Sequence, residues 1–284
     1  MIPAAFDYYA PTTVDEALGL LREHSDAKVL AGGQSLMPAL RLRLAAPETI
    51  VDLAKIDNLR GVRDDGDALV IGAMTPHSTV QSDRLVLEHA ELISLATATV
   101  GDPQIRHRGT FGGSLAHADP AADLPVVAVA LDASFEIAGP DGRRTVPASE
   151  FFQGVFSTAL AEDELLLEVR VPKYTGWGAH YEKFNRVAQG WSIVSVAAAV
   201  RLDGDRIAEA RVALGNMGST PVRATAVEAA LVGQPATADA VREAAARATD
   251  GTSPISDRDG DADYRRHLAT VLTRRAVLAA AGTA

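Results

Sequence analysis

Hydrophobic positions in the first 55 residues repeat with the spacing of a helix and then of short strands. Thr13 and Glu16 fit a capping box, and apolar residues then recur at the 0, 3, 4, 7 spacing of one helix face from Val14 to Leu21. The pattern that follows predicts a strand at 28–31, a helix at about 36–44 with Pro38 in its first turn, and a strand at 49–53. The unit as a whole reads strand, helix, strand, helix, strand.

The pattern changes to shorter strands and tight turns after residue 59. Residues 61–63 and 68–72 predict a hairpin, followed by a short helix within 75–83 and a longer helix at about 85–99. Residues 102–123 are rich in glycine, proline and charge and predict a loop, and a loop of this length inside a domain is often functional. A buried helix at 124–131, a hairpin of 134–138 with 144–146, and a strand at 165–171 complete the unit.

Residues 175–178, Thr-Gly-Trp-Gly, are the predicted domain boundary. Beyond them the pattern predicts three antiparallel strands at 179–186, 193–201 and 206–214, and helices at about 223–231, 238–248 and 263–281. The predicted fold class is α+β. The predicted domains are 1–175, with subdomains of about 1–55 and 56–175, and 176–284.

Composition narrows the classes of function. A chain of 284 residues favours two domains over one. The sequence contains no cysteine, which excludes disulfides, thiolate metal sites and iron–sulfur clusters ligated by cysteines of this chain. The formal charge of −10 argues against nucleic acid or an anionic membrane as the main partner. With no transmembrane segment and no signal peptide in the pattern, a cytoplasmic location is expected.

The segment Ala31-Gly32-Gly33-Gln34-Ser35 is the first candidate for chemistry. It falls between a predicted strand and a predicted helix, and paired glycines allow positive φ and a close approach of ligand to backbone. The amides that follow can then bind a phosphate. The segment matches neither the Rossmann fingerprint nor a P-loop, so a tight strand-to-helix turn without a ligand is the alternative.

A second diglycine segment, Thr110-Phe111-Gly112-Gly113-Ser114, lies within the predicted loop at 102–123. Two such loops can hold the two ends of one diphosphate. Further along the same loop, His117, Asp119 and Asp123 have spacings that match no common metal site, so no metal is predicted. An aspartate there is better suited to accept a hydrogen bond from a ribose hydroxyl or a ring N–H.

Taken together, several segments resemble the FAD-binding medium subunit of molybdenum-containing hydroxylases, the family of aerobic carbon monoxide dehydrogenase and xanthine dehydrogenase. In order and spacing they extend from near the start of the chain to about residue 200. Gln34 and Phe111 depart from the residues that many relatives have there. The segments are Ala31-Gly32-Gly33-Gln34-Ser35-Leu36, Gly72-Ala73-Met74-Thr75 with His77, Gln104 to Ser114, Asp119-Pro120-Ala121-Ala122-Asp123 and Tyr181-Glu182-Lys183-Phe184.

The resemblance implies a non-covalent FAD site in a two-part domain of the vanillyl-alcohol-oxidase (PCMH) type, followed by a C-terminal α+β domain with a three-stranded antiparallel sheet. Two loops would hold the diphosphate, Asp123 would contact the polar side of the flavin, and Trp191 would stand over the ring. No residue is expected to be catalytic. The implied cofactor-binding residues are Lys28, Leu30, Ala31, Gly32, Gly33, Gln34, Ser35, Leu36, Val100, Gly101, Thr110, Gly112, Gly113, Ser114, Asp123, Leu165, Lys183 and Trp191.

The resemblance also implies a function shared with other chains. Such a subunit receives electrons from a small partner that carries [2Fe–2S] clusters, while a large subunit with molybdopterin oxidises the substrate, in a dimer of heterotrimers. The absence of cysteine agrees with clusters on a partner. Two alternatives remain open: a stand-alone FAD-dependent oxidoreductase of the same fold, and a nucleotide-binding protein without redox activity.

Overall fold

The first unit of the chain is a parallel sheet of three short strands flanked by two helices. The computed structural model describes residues 2–283. Within this unit the middle strand of the sheet is the last in sequence, so the order is β1-β3-β2. Its elements are β1 (Asp7–Tyr9), α1 (Val14–Glu23), β2 (Lys28–Leu30), α2 (Leu36–Leu42) and β3 (Thr49–Asp52).

Local sequence sets both helices of this unit. The capping box before α1 is present, because the Thr13 side chain accepts from the Glu16 N–H and the Glu16 carboxylate accepts from the Thr13 N–H. The apolar face of α1 is buried, as its spacing predicts. Helix α2 ends two residues earlier than predicted, because Arg43 takes a left-handed conformation with φ of 57°.

The second unit is built on a five-stranded antiparallel sheet of order β4-β5-β10-β6-β7. Both predicted hairpins and the predicted strand before Pro172 are confirmed in it. The elements are β4 (Val62–Asp65), β5 (Ala68–Gly72), α3 (His77–Ser82), α4 (Arg84–His89), α5 (Glu91–Ala98), α6 (Pro103–Arg108), α7 (Phe111–His117), α8 (Asp123–Ala130), β6 (Ser134–Gly139), β7 (Gly142–Pro147), α9 (Ala148–Phe151), β8 (Phe152–Gly154), β9 (Ser157–Thr158) and β10 (Leu165–Pro172).

The single helix predicted at 85–99 is wrong, because the segment forms two helices, α4 and α5. They meet at Ala90, whose φ of −151° and ψ of 47° lie outside the helical region. Alanine has the highest helix propensity, so no local signal marks this break. Ala90 is buried, and packing against the core decides the path of the chain there.

The loop predicted at 102–123 is also wrong in part, because it contains the short helices α6 and α7. Each has a side-chain cap that the sequence displays. Asp102 accepts from the Ile105 N–H with Pro103 at the first helical position, and Thr110 accepts from the Gly113 N–H. The high glycine content favoured a loop in the sequence pattern, although Asp102 and Thr110 are N-cap residues that favour helices.

The third unit contains the three predicted antiparallel strands side by side, and a two-residue strand extends the sheet to the order β11-β12-β13-β14. The long helix α12 packs on β11 and β12. No helix within residues 2–283 is both long and apolar enough to cross a membrane. The elements are β11 (Gly178–Phe184), β12 (Val194–Asp203), β13 (Arg206–Gly215), β14 (Val222–Arg223), α10 (Thr225–Leu231), α11 (Ala238–Ala245) and α12 (Ala262–Ala280).

Helix α8 connects the second and third units through the core. All eight of its residues are buried, and it packs against α5, α7, β12 and β13. The same hydrophobic cluster therefore includes residues of both units, such as Phe135 on β6 and Ala197 on β12. After Asp123 the helix is apolar on every side, as expected where protein surrounds it completely.

The contact between β11 and the end of α12 leaves no room for a side chain at Gly178. A Cβ added there would overlap the carbonyl oxygen of Ala280 and lie 3.0 Å from its carbon. Because backbone cannot move aside like a flexible side chain, the end of α12 would have to shift.

We expect Gly178→Ala to lower the free energy of unfolding by about 1–3 kcal/mol, the usual cost of overpacking. The control is Gly19→Ala in α1, where an added Cβ meets nothing within 4 Å. That variant should gain about 0.5–1 kcal/mol, because alanine favours helix. Urea unfolding of both variants measures the difference. Equal stability of the two would contradict the close contact.

Candidate functional site

The first glycine loop connects β2 to α2 and leaves its N–H groups free. Gly33 has a φ of 77°, a conformation that glycine adopts without strain. The N–H groups of Gly33, Gln34 and Ser35 donate to no acceptor within residues 2–283, and Ser35 does not cap α2 with its side chain. Successive free N–H groups of this kind form a concave site for an anion.

The second glycine loop lies before and within α7, and hydrogen bonds fix it to the residues that follow β5 of the five-stranded sheet. The Phe111 N–H donates to the Thr75 carbonyl and the Gly112 N–H donates to the Ala73 carbonyl, at 2.9 and 2.8 Å. The Gly113 N–H donates to the Thr110 hydroxyl at 3.2 Å. The two loops therefore differ, since the amides of the second are already used by the chain while those of the first are free.

The two glycine loops meet in space, as the sequence predicts. Gly32 lies directly against the backbone of Arg108 and Gly109, and a Cβ added to Gly32 would be 2.6 Å from the Gly109 Cα. A Cβ added to Gly113 would be 3.2 Å from the Ala31 Cβ. Glycine is required at Gly32 because backbone occupies the place where a side chain would be.

His77 supports the second loop from beneath. The backbone N–H of His77 donates to the Gly109 carbonyl at 2.9 Å, and its imidazole ring occupies the space where a Gly109 side chain would lie. Burial, and then the charge of Arg106, lowers the pKa of His77 to about 4. The imidazole is therefore neutral at physiological pH, and its Nδ1 has no partner among the described residues.

A buried ion pair lies at the boundary between the second and third units. Lys183 of β11 donates to the Asp123 carboxylate at 2.9 Å, and the two side chains are only 7% and 4% exposed. Tyr181 donates to the other oxygen of Asp123 at 2.8 Å. Burial and the Asp123 charge raise the pKa of Tyr181 well above its usual value, so the phenol stays protonated.

The segment that contains Val100 and Gly101 lies beside this ion pair. Lys183 also donates to the Thr99 carbonyl at 3.2 Å. Gly101 has a φ of 49°, and Arg106 donates to the Val100 carbonyl at 3.0 Å. The structure thus brings Val100 and Gly101 close to Asp123 and Lys183, and the resemblance implies a cofactor-binding role for all four.

The remaining selected residues are less closely connected. Lys28 and Leu30 belong to β2, which leads into the first loop, and Leu165 is buried at the start of β10 in the core cluster against which Ala31 packs. Trp191, 57% exposed, lies between β11 and β12. Its neighbour Ser192 donates to the Ala121 carbonyl at 2.7 Å, which ties this connection to the residues before Asp123.

His117, Asp119 and Asp123 do not come together as a metal site. The His117 ring packs on Phe156 with centroids 4.9 Å apart, and Asp119 caps a turn by accepting from the Ala121 N–H. Burial lowers the pKa of His117, against an opposing effect of Asp119. Asp123 is occupied by Lys183 and Tyr181.

Sequence reasoning missed three contributors to the site. Tyr181 and Thr99 hold the buried ion pair, and Gly109 allows the contact between the loops. The motif Tyr181-Glu182-Lys183-Phe184 could have indicated the tyrosine, because side chains two apart on a strand share a face. The role of the Thr99 carbonyl has no signal in the sequence.

The fold and these contacts define a class of protein. Free amides in the first loop suit the diphosphate of a dinucleotide, and the contact between the loops brings the backbone close enough to hold one. The buried ion pair then provides a fixed, polar region across the boundary of two units. The residues present therefore fit a non-covalently bound dinucleotide, and the fold and these contacts together define a dinucleotide-binding protein.

Comparison with known proteins identifies the family. Residues 4–174 match the family described as the FAD binding domain in molybdopterin dehydrogenase, and residues 179–280 match the CO dehydrogenase flavoprotein C-terminal domain. The chain belongs to this family of FAD-binding subunits. The resemblance seen in the sequence is confirmed, as are the fold class, FAD as the cofactor and the oxidoreductase class.

Individual relatives cover the whole chain. The carbon monoxide dehydrogenase medium chain of Hydrogenophaga pseudoflava is 42% identical over 99% of this chain and 98% of the relative. A solved structure of carbon monoxide dehydrogenase from the same organism superposes with a TM-score of 0.96 at 44% identity, over 100% of this chain and 99% of that one. The solved structure of quinoline 2-oxidoreductase from Pseudomonas putida superposes with a TM-score of 0.95 at 34% identity, over 100% of this chain and 99% of that one.

We expect Gly32→Ala to lose FAD. The added Cβ cannot share space with the Gly109 backbone, so the first loop must move away from the second. The ratio of flavin to protein absorbance after gel filtration measures retention. The control is Gly154→Ala, because Gly154 lies outside the site. The nearest atom to a Cβ added there is 3.7 Å away. Full FAD content in Gly32→Ala would contradict the role of this contact.

We expect Lys183→Met to lower the stability of the FAD-free chain by about 3–5 kcal/mol, because it leaves the buried Asp123 charge without a partner. Adding Asp123→Asn to it should restore part of the loss. The exposed pair of Arg63 and Glu168 is the control, and Arg63→Met should cost about 0–1 kcal/mol. Chemical unfolding measures the free energy of unfolding of all three variants. Similar losses of stability in Lys183→Met and Arg63→Met would contradict the larger cost expected for the buried pair.

Proposed function

We propose that this chain is the FAD-carrying electron-transfer subunit of a multi-subunit molybdenum hydroxylase, most like the carbon monoxide dehydrogenase medium subunit. In this role it accepts electrons from a partner iron–sulfur subunit and passes them to an external acceptor. The observation that carries the proposal is the contact between the two glycine loops, on a chain that its relatives match from end to end.

The first loop would hold the diphosphate of FAD through the free N–H groups of Gly33, Gln34 and Ser35. The second loop would complete the site with the Ser114 hydroxyl and its closely packed glycines. Lys183 and Asp123 would fix the polar side of the flavin, with Trp191 over the ring. FAD, when bound, supplies both one-electron and two-electron redox chemistry.

The same proposal assigns the remaining centres to other chains. Without cysteine this chain has no thiolate for a cluster, so the [2Fe–2S] clusters belong to a small partner. By analogy with the relatives, the molybdopterin belongs to a large partner. By analogy the assembly is a dimer of heterotrimers, a heterohexamer, in the cytoplasm. The division into domains 1–175 and 176–284 is part of the proposal, and the two family matches, which end at 174 and begin at 179, support it.

The test is a reduction experiment under anaerobic conditions. Purified alone, the chain should show the flavin band at about 450 nm, and carbon monoxide should leave it unchanged. With the iron–sulfur and molybdenum subunits added, carbon monoxide should bleach the band.

A colourless protein that cannot be loaded with FAD would disprove the flavin role. Bleaching of the isolated chain by a substrate would indicate instead a stand-alone flavin enzyme. Bleaching of the complex by an aldehyde or an N-heterocycle, but not by carbon monoxide, would support the electron-transfer role. It would also show that the complex does not share the substrate of carbon monoxide dehydrogenase.

A further inference from the structure

A cavity of about 550 Å³ lies on the C-terminal unit, between β11, the start of α11 and the second half of α12. Its volume is typical of sites for small organic molecules. All of its lining residues fall between 180 and 279, so neither glycine loop contributes to it. None of its lining residues is assigned to the flavin, and His180 and Glu182 lie on the face of β11 opposite to that of Lys183.

The lining of this cavity carries an excess of positive charge. Arg242, Arg274 and Arg275 face it, and Glu182 is the single acid among its described lining residues. This excess stands out in a chain with a formal charge of −10. Three guanidinium groups around one space repel each other, and an anion between them would relieve that repulsion.

The side chains of two of these arginines have no partner among residues 2–283. The guanidinium groups of Arg274 and Arg275 make neither a hydrogen bond nor an ion pair there. Arg242 pairs at 2.9 Å with Asp239, a carboxylate that is 84% exposed and therefore weakly attractive. The donors of these arginines remain available, and guanidinium groups match the geometry of phosphate oxygens.

One wall of the cavity is apolar. Leu278 and Ala279 of α12 line it together with Ala238 at the start of α11. An inorganic anion would leave this wall and most of the volume unused. The combination favours a ligand with an anionic group at one end and an organic part at the other.

We propose that this cavity binds a small organic phosphate, with its phosphate against Arg274 and Arg275 and its organic part along Leu278. His180 and Glu182, whose side chains are 3.6 Å apart on the edge strand β11, form the remaining wall. The ligand would lie on the third unit without any contact to the flavin loops, so the proposal stands or fails independently of the function proposed above.

Calorimetric titration of the full chain with phenyl phosphate tests the class of ligand. Inorganic phosphate and phenol are titrated separately as the two halves of that probe, at an ionic strength held constant with potassium chloride. We expect one phenyl phosphate per chain, affinity about tenfold lower for inorganic phosphate because the apolar wall is then unused, and no binding of phenol. Equal affinity for the two phosphates, or no saturable binding of phenyl phosphate, would overturn the proposal.

Variants of α12 test the location. The double variant Arg274→Gln with Arg275→Gln should weaken phenyl phosphate binding by at least about tenfold, since it removes both unpaired charges. Arg266→Gln is the matched control: the same helix loses the same charge, but Arg266 pairs with Asp263 and does not line the cavity. The control should bind within about twofold of the parent chain.

Arg275→Glu keeps the location testable if the double variant does not fold. Arg275 is exposed, so its replacement should leave the thermal unfolding midpoint nearly unchanged while repelling the phosphate. Binding by either folded variant at the parent affinity would place the ligand elsewhere and overturn the assignment.

Discussion

No side chain fits between Gly32 and the backbone at Arg108 and Gly109, and this contact joins two parts of the chain that belong to different sheets. The first loop follows β2 of the parallel sheet, while the second is fixed to the end of β5 by the carbonyls of Ala73 and Thr75. Because backbone meets backbone directly, the distance between the loops is set without adjustable side chains. A fixed distance between the two loops suits the binding of one diphosphate by both.

The second constraint is the buried helix α8, which places the ion pair at the boundary between the second and third units. Asp123 is its first residue and Lys183 comes from β11, so the pair connects the two units where water is excluded. Such a pair contributes little net stability but penalises any arrangement that separates it. The proposed flavin site therefore depends on the relative position of the two units, which α8 fixes through its contacts with β12 and β13.

Sequence patterns predicted most elements because amphipathic spacing and turn residues act locally. The capping box of α1 and the hairpins of the second unit are examples. The break at Ala90 could not be predicted, since alanine favours the helix that packing interrupts. The two glycine loops could be selected from composition, but the difference between them could not. Whether an N–H is free depends on a distant carbonyl such as that of Ala73.

The titratable groups around the glycine loops and the buried ion pair are committed to structure, which suits a site that holds a cofactor in place. Lys183 and Tyr181 both donate to Asp123, and the phenol stays protonated because burial raises its pKa. His77 is neutral at physiological pH and enclosed beneath the second loop. General acid–base catalysis requires a group that can change its protonation near the working pH. Fixed donors and a buried ion pair are suited instead to orienting a bound molecule.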